Sequence, residues 1–223
     1  METDKSTDIL KKKLDENLEK NNIKPTNSTF DNLVIDGNTA LCLGAIEAGC
    51  RAYFAYPMSP SSGILSYLAK TAHKTGMLVK QAEDEITAVQ MALGASFMGT
   101  RSLVATSGGG FDLMVETLSL AGIIETPLVI VIVQRPGPAT GLPTWTAQAD
   151  INLAVFGGHG EFPRIVLSCS DAQDCFYKIQ EAFDLSQKFQ VPVIVLSEKS
   201  IGEAKQTVNL TLLTKPVNQY LVS

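Results

Sequence analysis

The chain has 223 residues, of which 45% are hydrophobic and 18% charged, and its formal net charge is −5. Twelve of its 41 charged side chains lie in residues 1–30, where the charges cancel, so only about 15% of the other 193 residues are charged. Average soluble domains carry roughly 25% charged residues. The length suffices for one domain with a full core, and the low charge indicates that part of its surface contacts protein.

The same composition argues against several classes of protein. No cluster of lysine and arginine lies outside the first 30 residues, so a nucleic-acid-binding surface is not expected. No apolar run approaches the roughly 18 residues of a membrane span, and the N-terminus lacks the pattern of a signal peptide, so we expect a cytoplasmic protein without membrane contact. The cysteines lack metal-site spacing, so we expect reduced, mostly buried thiols and no metal or iron–sulfur site on this chain; they are Cys42, Cys50, Cys169 and Cys175.

Residues 1–30 differ in composition from the rest of the chain. Apolar residues recur there at about one-turn spacing among charges, which predicts a short amphipathic helix before a polar linker; they are Ile9, Leu10, Leu14 and Leu18. We therefore expect three regions: an appendage over residues 1–30, one α/β domain over 31–204, and a C-terminal linker over 205–223.

From residue 31 onward, helix and strand patterns alternate. In chain order the patterns predict helix Thr39–Cys50, strand Ala52–Ala55, helix Ser61–Lys74, strand Met77–Gln81, helix Asp84–Gly99, strand Ser102–Thr106, helix Gly110–Ile124, strand Leu128–Val133, helix Ser170–Phe189 and strand Val191–Leu196. The continuous apolar strands are typical of strands buried on both faces, and a Ser170–Gln173 capping pattern marks the start of the last helix. The alternation predicts an α/β fold with a doubly wound, mostly parallel sheet and helices on both faces.

Ligands of such sheets bind at the carboxyl ends of the strands, where four turns have unusual composition. Tyr56–Ser62 contains two prolines that fix the backbone and hydroxyls that cap the next helix. An ordinary capped loop would account well for one proline and one serine, but less well for two prolines on either side of a serine. Gln81–Glu85 carries three adjacent acids, which most simply form a solvated helix start. However, Glu85 begins an otherwise almost uncharged helix, where a carboxyl can have a raised pKa and act in acid–base chemistry.

The third and fourth turns can bind anions. Thr106–Phe111 runs through three glycines into a helix whose N–H groups can hold an anion or admit a close ligand, although it matches no nucleotide-binding glycine motif. Gln134–Thr144 is rich in proline and glycine and contains Arg135, whose guanidinium suits capture of a carboxylate or phosphate. The sequence is equally compatible with a structural ion pair between Arg135 and an acid at a helix start.

Other candidate residues carry less information. We expect His73 on a helix surface and His159 in a flexible glycine loop, and neither has a nucleophile, acid or metal ligand nearby in sequence. We expect Trp145 to anchor packing after the fourth turn.

Taken in order, the four turns resemble the α subunit of the 2-oxoacid:ferredoxin oxidoreductases, the family of pyruvate and 2-oxoglutarate ferredoxin/flavodoxin oxidoreductases. The family's Tyr-Pro-Ile-Thr-Pro-Ser-Ser stands here as Tyr56–Ser62, its Glu-Asp-Glu as Glu83–Glu85, its Thr-Ser-Gly-Pro-Gly as Thr106–Gly110, and its Gln-Arg-Gly-Gly-Pro-Ser-Thr-Gly as Gln134–Gly141, followed by Gln148, Ala149 and Asp150. The resemblance covers about residues 33–200 and implies the pyrimidine-binding domain for thiamine diphosphate.

The resemblance also implies roles for single residues. Glu85 would hydrogen-bond the N1′ nitrogen of the aminopyrimidine and favour the tautomer that generates the cofactor's nucleophile. Arg135 would pair with the substrate carboxylate, and Ser59 stands where the family has a threonine that hydrogen-bonds substrate. The other implied contacts are Thr140 with substrate, and Tyr56, Pro57, Ser107, Gly108 and Gly109 with the cofactor.

The implied function is that of an α-type subunit in the oxidative decarboxylation of a 2-oxoacid to acyl-CoA, with electrons passed to ferredoxin or flavodoxin. The family's Gly-Asp-Gly…Asn segment for Mg²⁺ and diphosphate is absent, as are cluster-binding cysteines. The resemblance therefore implies a β subunit carrying the diphosphate-binding domain and iron–sulfur or γ-type subunits, without which we expect no activity. The alternatives are half of another thiamine-diphosphate decarboxylase or carboligase, or a non-catalytic scaffold subunit.

Departures from the family pattern leave the particular 2-oxoacid open. Met58 stands for isoleucine, Gly109 for proline, Pro136 for glycine and Ala139 for serine. Two of these changes exchange backbone freedom between two site loops, so they bear on loop geometry and substrate preference more than on the class of reaction.

Overall fold

Six parallel strands form the sheet at the centre of the computed structural model, which describes residues 32–209. The strands are β2 (Ala52–Ala55), β3 (Leu78–Gln81), β4 (Ser102–Thr106), β5 (Leu128–Gln134), β6 (Ile165–Ser168) and β7 (Pro192–Glu198). Their order across the sheet is β3-β2-β4-β5-β7-β6, and every pairing is parallel. Two further strands, β1 (Asn32–Ile35) and β8 (Gln206–Asn209), pair in a separate two-stranded sheet.

Helices cover both faces of the sheet, which confirms the doubly wound α/β fold. Within residues 32–209 they are α1 (Gly37–Glu47), α2 (Ser62–Thr75), α3 (Glu85–Phe97), α4 (Gly108–Ile123), α5 (Ile151–Phe156), α6 (Ala172–Phe189) and α7 (Lys199–Glu203). None of the helices in this range is long and apolar enough to cross a membrane.

Side-chain alternation along the buried strands separates two hydrophobic cores. In β5, Val129, Val131 and Val133 point to a core shared with α1, α2 and α6, which we call the first face. Leu128, Ile130 and Ile132 point to a core shared with α3, α4 and α5, which we call the second face. Because both faces of this strand are buried, the side chains on either side of it contact a hydrophobic core, which explains its continuous apolar sequence.

The strand order brings the four unusual turns together. The chain runs outward from β2 to β3 and then returns past β2 to β4, so β2 and β4 are neighbours from which the connections run in opposite directions. Such a switch point opens a crevice at the carboxyl ends of the strands. The turns after β2, β3, β4 and β5 all lie at that edge because the strands are parallel.

The structure corrects several sequence-based expectations about secondary structure. The sequence analysis missed β1, α5, β6, α7 and β8, which are all six residues or shorter, too short to show a periodic pattern. The strand β8 lies in the predicted linker 205–223, and residues 210–223 fall outside the described residues. The predicted helix within residues 1–30 also falls outside them.

Two predicted helix caps and one predicted anchor are wrong. The cap of α6 is Asp171, whose Oδ1 accepts the Asp174 N–H at 2.7 Å, rather than Ser170. Ser61 occupies the cap position of α2, but its side chain accepts no capping hydrogen bond, and its hydroxyl donates to the Met58 carbonyl at 2.7 Å. Trp145 is 65% exposed and anchors no core. The prediction of buried, unpaired cysteines is confirmed for all four.

A buried arginine joins the first face to the amino end of the sheet. Arg101, 5% exposed, donates to Asp184 at 2.8 Å and to Gln187 on α6, and to the Ala48 carbonyl at 2.6 Å after α1. Its guanidinium also lies 5.6 Å from the centre of the Phe183 ring. Removing one partner of a buried, hydrogen-bonded ion pair leaves the other charge uncompensated.

We therefore expect Arg101→Met to lower the free energy of unfolding by about 3 kcal/mol in urea titrations. The matched control is Lys178→Met, which breaks the exposed pair with Glu181 on α6 and should change the stability by less than about 0.5 kcal/mol. Equal effects of the two substitutions would contradict this account of Arg101.

Candidate functional site

The three adjacent acids at the start of α3 have different environments. Glu83 and Asp84 are exposed, whereas Glu85, the first residue of the helix, is only 3% exposed. Asp84 caps the helix, since its Oδ1 accepts the Thr87 N–H at 2.7 Å. The plainer sequence interpretation, a solvated helix start, therefore fits Glu83 and Asp84 and does not fit Glu85.

The Glu85 carboxyl is shielded and incompletely hydrogen-bonded. Its Oε1 is buried and has no hydrogen-bond partner among residues 32–209. Burial raises the pKa of Glu85. A hydrogen bond from its own backbone N–H lowers this pKa, the negative charge of Asp84 raises it further, and the positive charge of Arg135 lowers it. Glu85 therefore keeps its proton to a higher pH than an exposed glutamate, and it has an oxygen free to bind a ligand.

The glycine turn at the start of α4, Ser107–Gly110, lies directly against this carboxyl. A Cβ atom on Gly110 would lie 2.7 Å from Glu85 Oε1 and would also overlap the Thr106 hydroxyl. A Cβ atom on Gly108 would lie 2.5 Å from Asp150 Oδ1. The turn therefore passes between two carboxyl groups, and at these two positions only glycine avoids a collision.

Further polar atoms around the glycine turn lack partners within the described part of the chain. They are the Thr106 hydroxyl, the Ser107 hydroxyl and Asp150 Oδ2, in addition to Glu85 Oε1. Burial raises the pKa of Asp150 and the Asp112 charge adds to this, while the Arg135 charge lowers it. Buried polar groups in proteins are nearly always hydrogen-bonded, so a cluster of unpaired ones indicates a place where a ligand completes the bonding.

Arg135 follows β5 directly and is 8% exposed. Its Nη1 donates to the Ser59 carbonyl at 2.6 Å, so the structure brings two predicted substrate-binding residues together. Within residues 32–209 Arg135 forms no ion pair, so the alternative of a structural pair is not observed. Its charge acts on both Glu85 and Asp150.

Two polar side chains at the ends of buried strands hold the loop that begins at Arg135. Gln134, the last residue of β5, accepts the Asp150 N–H at 3.0 Å and donates to the Ser197 carbonyl at 3.2 Å. Glu198, 4% exposed at the end of β7, accepts a hydrogen bond from the Thr146 hydroxyl. The sequence analysis named Gln134 only as the first residue of the fourth turn and did not name Glu198, although a polar residue ending an otherwise apolar strand is a recognisable signal.

Glu198 is ionised when it holds this loop. Burial alone would raise its pKa, but hydrogen bonds from the hydroxyls of Ser200 and Thr146 and from two backbone N–H groups hold the pKa below its usual value. The carboxylate also caps α7, where it accepts the backbone N–H groups of Ser200 and Ile201. One charged side chain thus fixes a helix start and the loop beyond Arg135.

The remaining predicted site residues line the mouth of the crevice. Tyr56 is 39% exposed, and Pro57 and Ser59 are exposed beside it after β2. A Cβ atom on Gly109 would lie 3.3 Å from the Ala139 carbonyl, so the glycine turn and the Arg135 loop touch. Thr140 is exposed on that loop. No group of three or more metal-binding side chains occurs among the described residues.

The comparisons with known proteins agree with one another. A family model described as pyruvate flavodoxin/ferredoxin oxidoreductase, thiamine diphosphate-binding, matches residues 43–219. The 2-oxoacid:ferredoxin oxidoreductase 1 subunit alpha of Sulfurisphaera tokodaii is 43% identical over 84% of this chain and 32% of that protein. The 2-oxoglutarate synthase subunit KorA of Archaeoglobus fulgidus is 42% identical over 79% of this chain and 51% of that protein.

A solved structure has the same fold. The 2-oxoglutarate:ferredoxin oxidoreductase from Magnetococcus marinus, with 2-oxoglutarate, coenzyme A and succinyl-CoA bound, superposes with a TM-score of 0.79 at 43% identity. The similarity covers 86% of this chain and 33% of that one. The chain thus spans about a third to a half of the length of these relatives.

The packing at Gly110 gives a direct test of the site geometry. We expect Gly110→Ala to destabilise the chain by about 1–3 kcal/mol, because the added methyl group forces Glu85 and Thr106 apart. The control is Gly94→Ala, at an exposed position of α3 with no atom within 4 Å of the added Cβ. It should stabilise the chain by about 0.5–1 kcal/mol. Urea unfolding measures both, and a neutral Gly110→Ala would contradict the geometry.

Proposed function

Because the chain belongs to the thiamine-diphosphate-binding family of the pyruvate flavodoxin/ferredoxin oxidoreductases, we propose that it is an α-type subunit of a 2-oxoacid:ferredoxin oxidoreductase. In this proposal it supplies the aminopyrimidine side of a thiamine-diphosphate site. The complete enzyme converts a 2-oxoacid and coenzyme A to acyl-CoA and CO₂, and passes two electrons to ferredoxin or flavodoxin. The observation that carries the proposal is the shielded Glu85 carboxyl, whose Oε1 lacks a partner beside the glycine turn.

The residues at this edge of the sheet fit an aminopyrimidine ring. Such a ring presents a nitrogen that accepts a hydrogen bond from a protonated carboxyl, and the raised pKa of Glu85 favours the protonated form. The glycine turn lacks side chains, so a flat ring can approach its backbone closely. The unpartnered Ser107 hydroxyl, together with Tyr56 and Pro57 at the mouth, provides further contacts.

When bound, thiamine diphosphate supplies the carbon nucleophile and the electron sink for loss of CO₂. The part of Glu85 is to hold a proton at its carboxyl and exchange it with the ring nitrogen. This exchange needs a carboxyl shielded from water with a pKa near the working pH. Burial at the first turn of α3 provides the shielding, and the neighbouring Asp84 charge raises the pKa further.

Arg135 provides the positive charge for an anionic substrate. Its guanidinium has five N–H donors, of which one is occupied by the Ser59 carbonyl. The others can bind the carboxylate of a 2-oxoacid in a forked geometry, for which arginine is better suited than lysine. In this proposal the hydroxyls of Ser59 and Thr140 complete the substrate site, and the contacts of Gln134 and Glu198 keep the Arg135 loop in place.

We further propose that other chains complete the enzyme. A β subunit would hold the diphosphate with Mg²⁺, and iron–sulfur or γ-type subunits would carry electrons to ferredoxin or flavodoxin. The names of two relatives, subunit alpha and subunit KorA, support an enzyme of several subunits. We place the enzyme in the cytoplasm, where its four unpaired cysteines stay reduced.

Substitution of Glu85 tests the catalytic assignment. In the enzyme assembled with its co-purified partner subunits, we expect Glu85→Gln to lower kcat by at least a hundredfold, because the amide cannot exchange the proton. The matched control is Glu83→Gln, two residues earlier and exposed, which should leave kcat unchanged. Reduction of ferredoxin in the presence of 2-oxoacid and coenzyme A is the readout, and near-normal turnover of Glu85→Gln would contradict the assignment.

Substitution of Arg135 tests the substrate site. We expect Arg135→Ala to raise the KM for the 2-oxoacid by about tenfold to a hundredfold, as for loss of a charged hydrogen bond, while thiamine diphosphate binds as before. Arg135→Lys keeps the positive charge but loses the paired N–H donors of the guanidinium, so it should give an intermediate KM. 2-Oxoglutarate is the first substrate to test, because relatives carry its name. An unchanged KM in Arg135→Ala would exclude this role.

A further inference from the structure

We propose that Asn38, in the first turn of α1, is a positioning residue for the substrate site. Its side-chain amide holds the turn Tyr56–Ser62, which we call the Ser59 turn, and through this turn it fixes the place of the Arg135 guanidinium. Asn38 itself does not contact the substrate in this proposal. The inference rests on the proposed function, because it adds a residue to the same site.

Side chains hold three successive backbone carbonyls of the Ser59 turn. Pro57 and Pro60 have no N–H group, so the turn has few backbone donors of its own. The donors are instead side chains, namely the Ser61 hydroxyl to the Met58 carbonyl at 2.7 Å, Arg135 Nη1 to the Ser59 carbonyl at 2.6 Å, and Asn38 Nδ2 to the Pro60 carbonyl at 2.9 Å. Two of these donors lie outside the turn, so its shape depends on α1 and on the Arg135 loop.

Asn38 and Arg135 bind neighbouring carbonyls. The peptide unit that joins Ser59 to Pro60 is planar and rigid, so a displaced Pro60 also displaces the Ser59 carbonyl that accepts the hydrogen bond of Arg135. Pro60 is buried, whereas Ser59 is exposed at the mouth of the crevice. Asn38 thus holds the buried end of a segment whose exposed end carries the hydroxyl proposed to bind substrate.

The start of α1 gives Asn38 a rigid support. Asp36 caps the helix through its Oδ1, which accepts the Thr39 N–H at 2.7 Å. A Cβ atom on Gly37 would lie 2.5 Å from the Ile201 carbonyl, so the backbone of α1 directly contacts that of α7. A side chain on such packed helices fixes its partner more precisely than a side chain on a loop does.

The same support also holds the second substrate loop. Glu198 caps α7 and accepts a hydrogen bond from the Thr146 hydroxyl of the Arg135 loop. A Cβ atom on Gly202, in the same helix, would lie 3.1 Å from Asn38 Oδ1. The two loops are therefore joined twice, once through α7 with Asn38 and once through the hydrogen bond from Arg135 to the Ser59 turn.

The chemistry of Asn38 fits a positioning role better than a role in stability. The side chain is 3% exposed, and its Oδ1 has no hydrogen-bond partner in the described range. Burying an amide with one group unsatisfied lowers stability, and an apolar side chain would avoid that cost. Since a carbonyl only accepts hydrogen bonds, the donor nitrogen must face Pro60, and this one bond is what the amide provides.

A cavity of about 490 Å³ borders Asn38 together with Gly63 and Gly202. Truncation of Asn38 to alanine extends this cavity toward the Pro60 carbonyl, so a water molecule can satisfy that carbonyl. Such a water restores the hydrogen bond but does not fix the position of the turn. We therefore expect the substitution to loosen the Ser59 turn without unfolding the chain.

Gln180 on α6 offers a matched control. It is also a buried amide, 1% exposed, whose Nε2 donates to the Phe176 carbonyl at 2.7 Å and whose Oε1 lacks a partner among residues 32–209. Its hydrogen bond stays within α6, so Gln180→Ala removes the same kind of interaction away from the Ser59 turn.

Hydrogen exchange of the full chain tests the hold on the turn and needs no catalytic activity. We expect Asn38→Ala to speed exchange at least fivefold in a peptide covering residues 56–66, and Gln180→Ala to leave that peptide unchanged. The second variant, Asn38→Ser, has a hydroxyl one bond shorter than the amide and should act in the same direction. Unchanged exchange of residues 56–66 in both Asn38 variants would overturn the proposal.

Kinetics of the enzyme assembled with its co-purified partner subunits test the positioning role. We expect Asn38→Ala to raise the KM for the 2-oxoacid about fivefold or more, as for loss of one hydrogen bond. The kcat and the Kd for thiamine diphosphate should change less than twofold, and Gln180→Ala should leave all three values within twofold. An unchanged KM in Asn38→Ala, or an equal loss of cofactor binding, would contradict the role.

A double-mutant cycle tests whether Asn38 acts through Arg135. In the Arg135→Ala enzyme, Asn38→Ala should raise the KM less than twofold, because the guanidinium that it positions is gone. The same increase in both backgrounds would show that Asn38 acts independently of Arg135 and would overturn the proposal.

The outcomes separate this inference from the proposed function. If Asn38→Ala loosens the turn but the natural complex neither binds thiamine diphosphate nor converts a 2-oxoacid, the proposed function fails and the positioning role fails with it. If the natural complex converts a 2-oxoacid and its KM depends on Arg135, but not on Asn38, only the present inference fails.

Discussion

The structure around the site depends on a carboxyl buried without a hydrogen-bond partner for one of its oxygens. Burying an ionised carboxylate costs several kcal/mol, so Glu85 responds with a raised pKa instead. Asp84 caps α3 immediately before it, and position 110 requires glycine, because any side chain there would collide with Glu85. The two helix starts are thus built around one oxygen whose partner the described residues do not supply.

Much of the fold could be predicted from the sequence, because its central strands and longer helices have strong periodic patterns. The short elements could not, since α5, β6 and α7 are stabilised by packing and by caps such as Glu198 rather than by their own sequence. At the site, residue type and position in two turns made Glu85 and Arg135 candidates, and the family resemblance implied their roles. The sequence could not identify Gln134, Glu198 or Asp150 as a group, because their contacts join strand ends far apart in the chain.

The division of the molecule into two faces connects its composition with its proposed role. The first face carries charged side chains on α2 and α6 and both ends of the described chain, whereas the second carries exposed apolar side chains, the buried Glu85 and two exposed acids. The crevice with Glu85 and Arg135 opens at the edge between the faces. In the proposed role the domain contacts partner chains, and such contacts would account for a body of which only about 15% is charged.

Cofactor affinity in a double-mutant cycle tests the central claim most directly. The assembled enzyme, with Glu85 or with Glu85→Ala, is titrated calorimetrically with thiamine diphosphate and with an analogue that has carbon in place of the ring nitrogen N1′. If Glu85 completes its hydrogen bonding with that nitrogen, the natural enzyme prefers thiamine diphosphate by about tenfold or more, and the Glu85→Ala variant loses most of this preference. The same preference in both proteins would contradict the account.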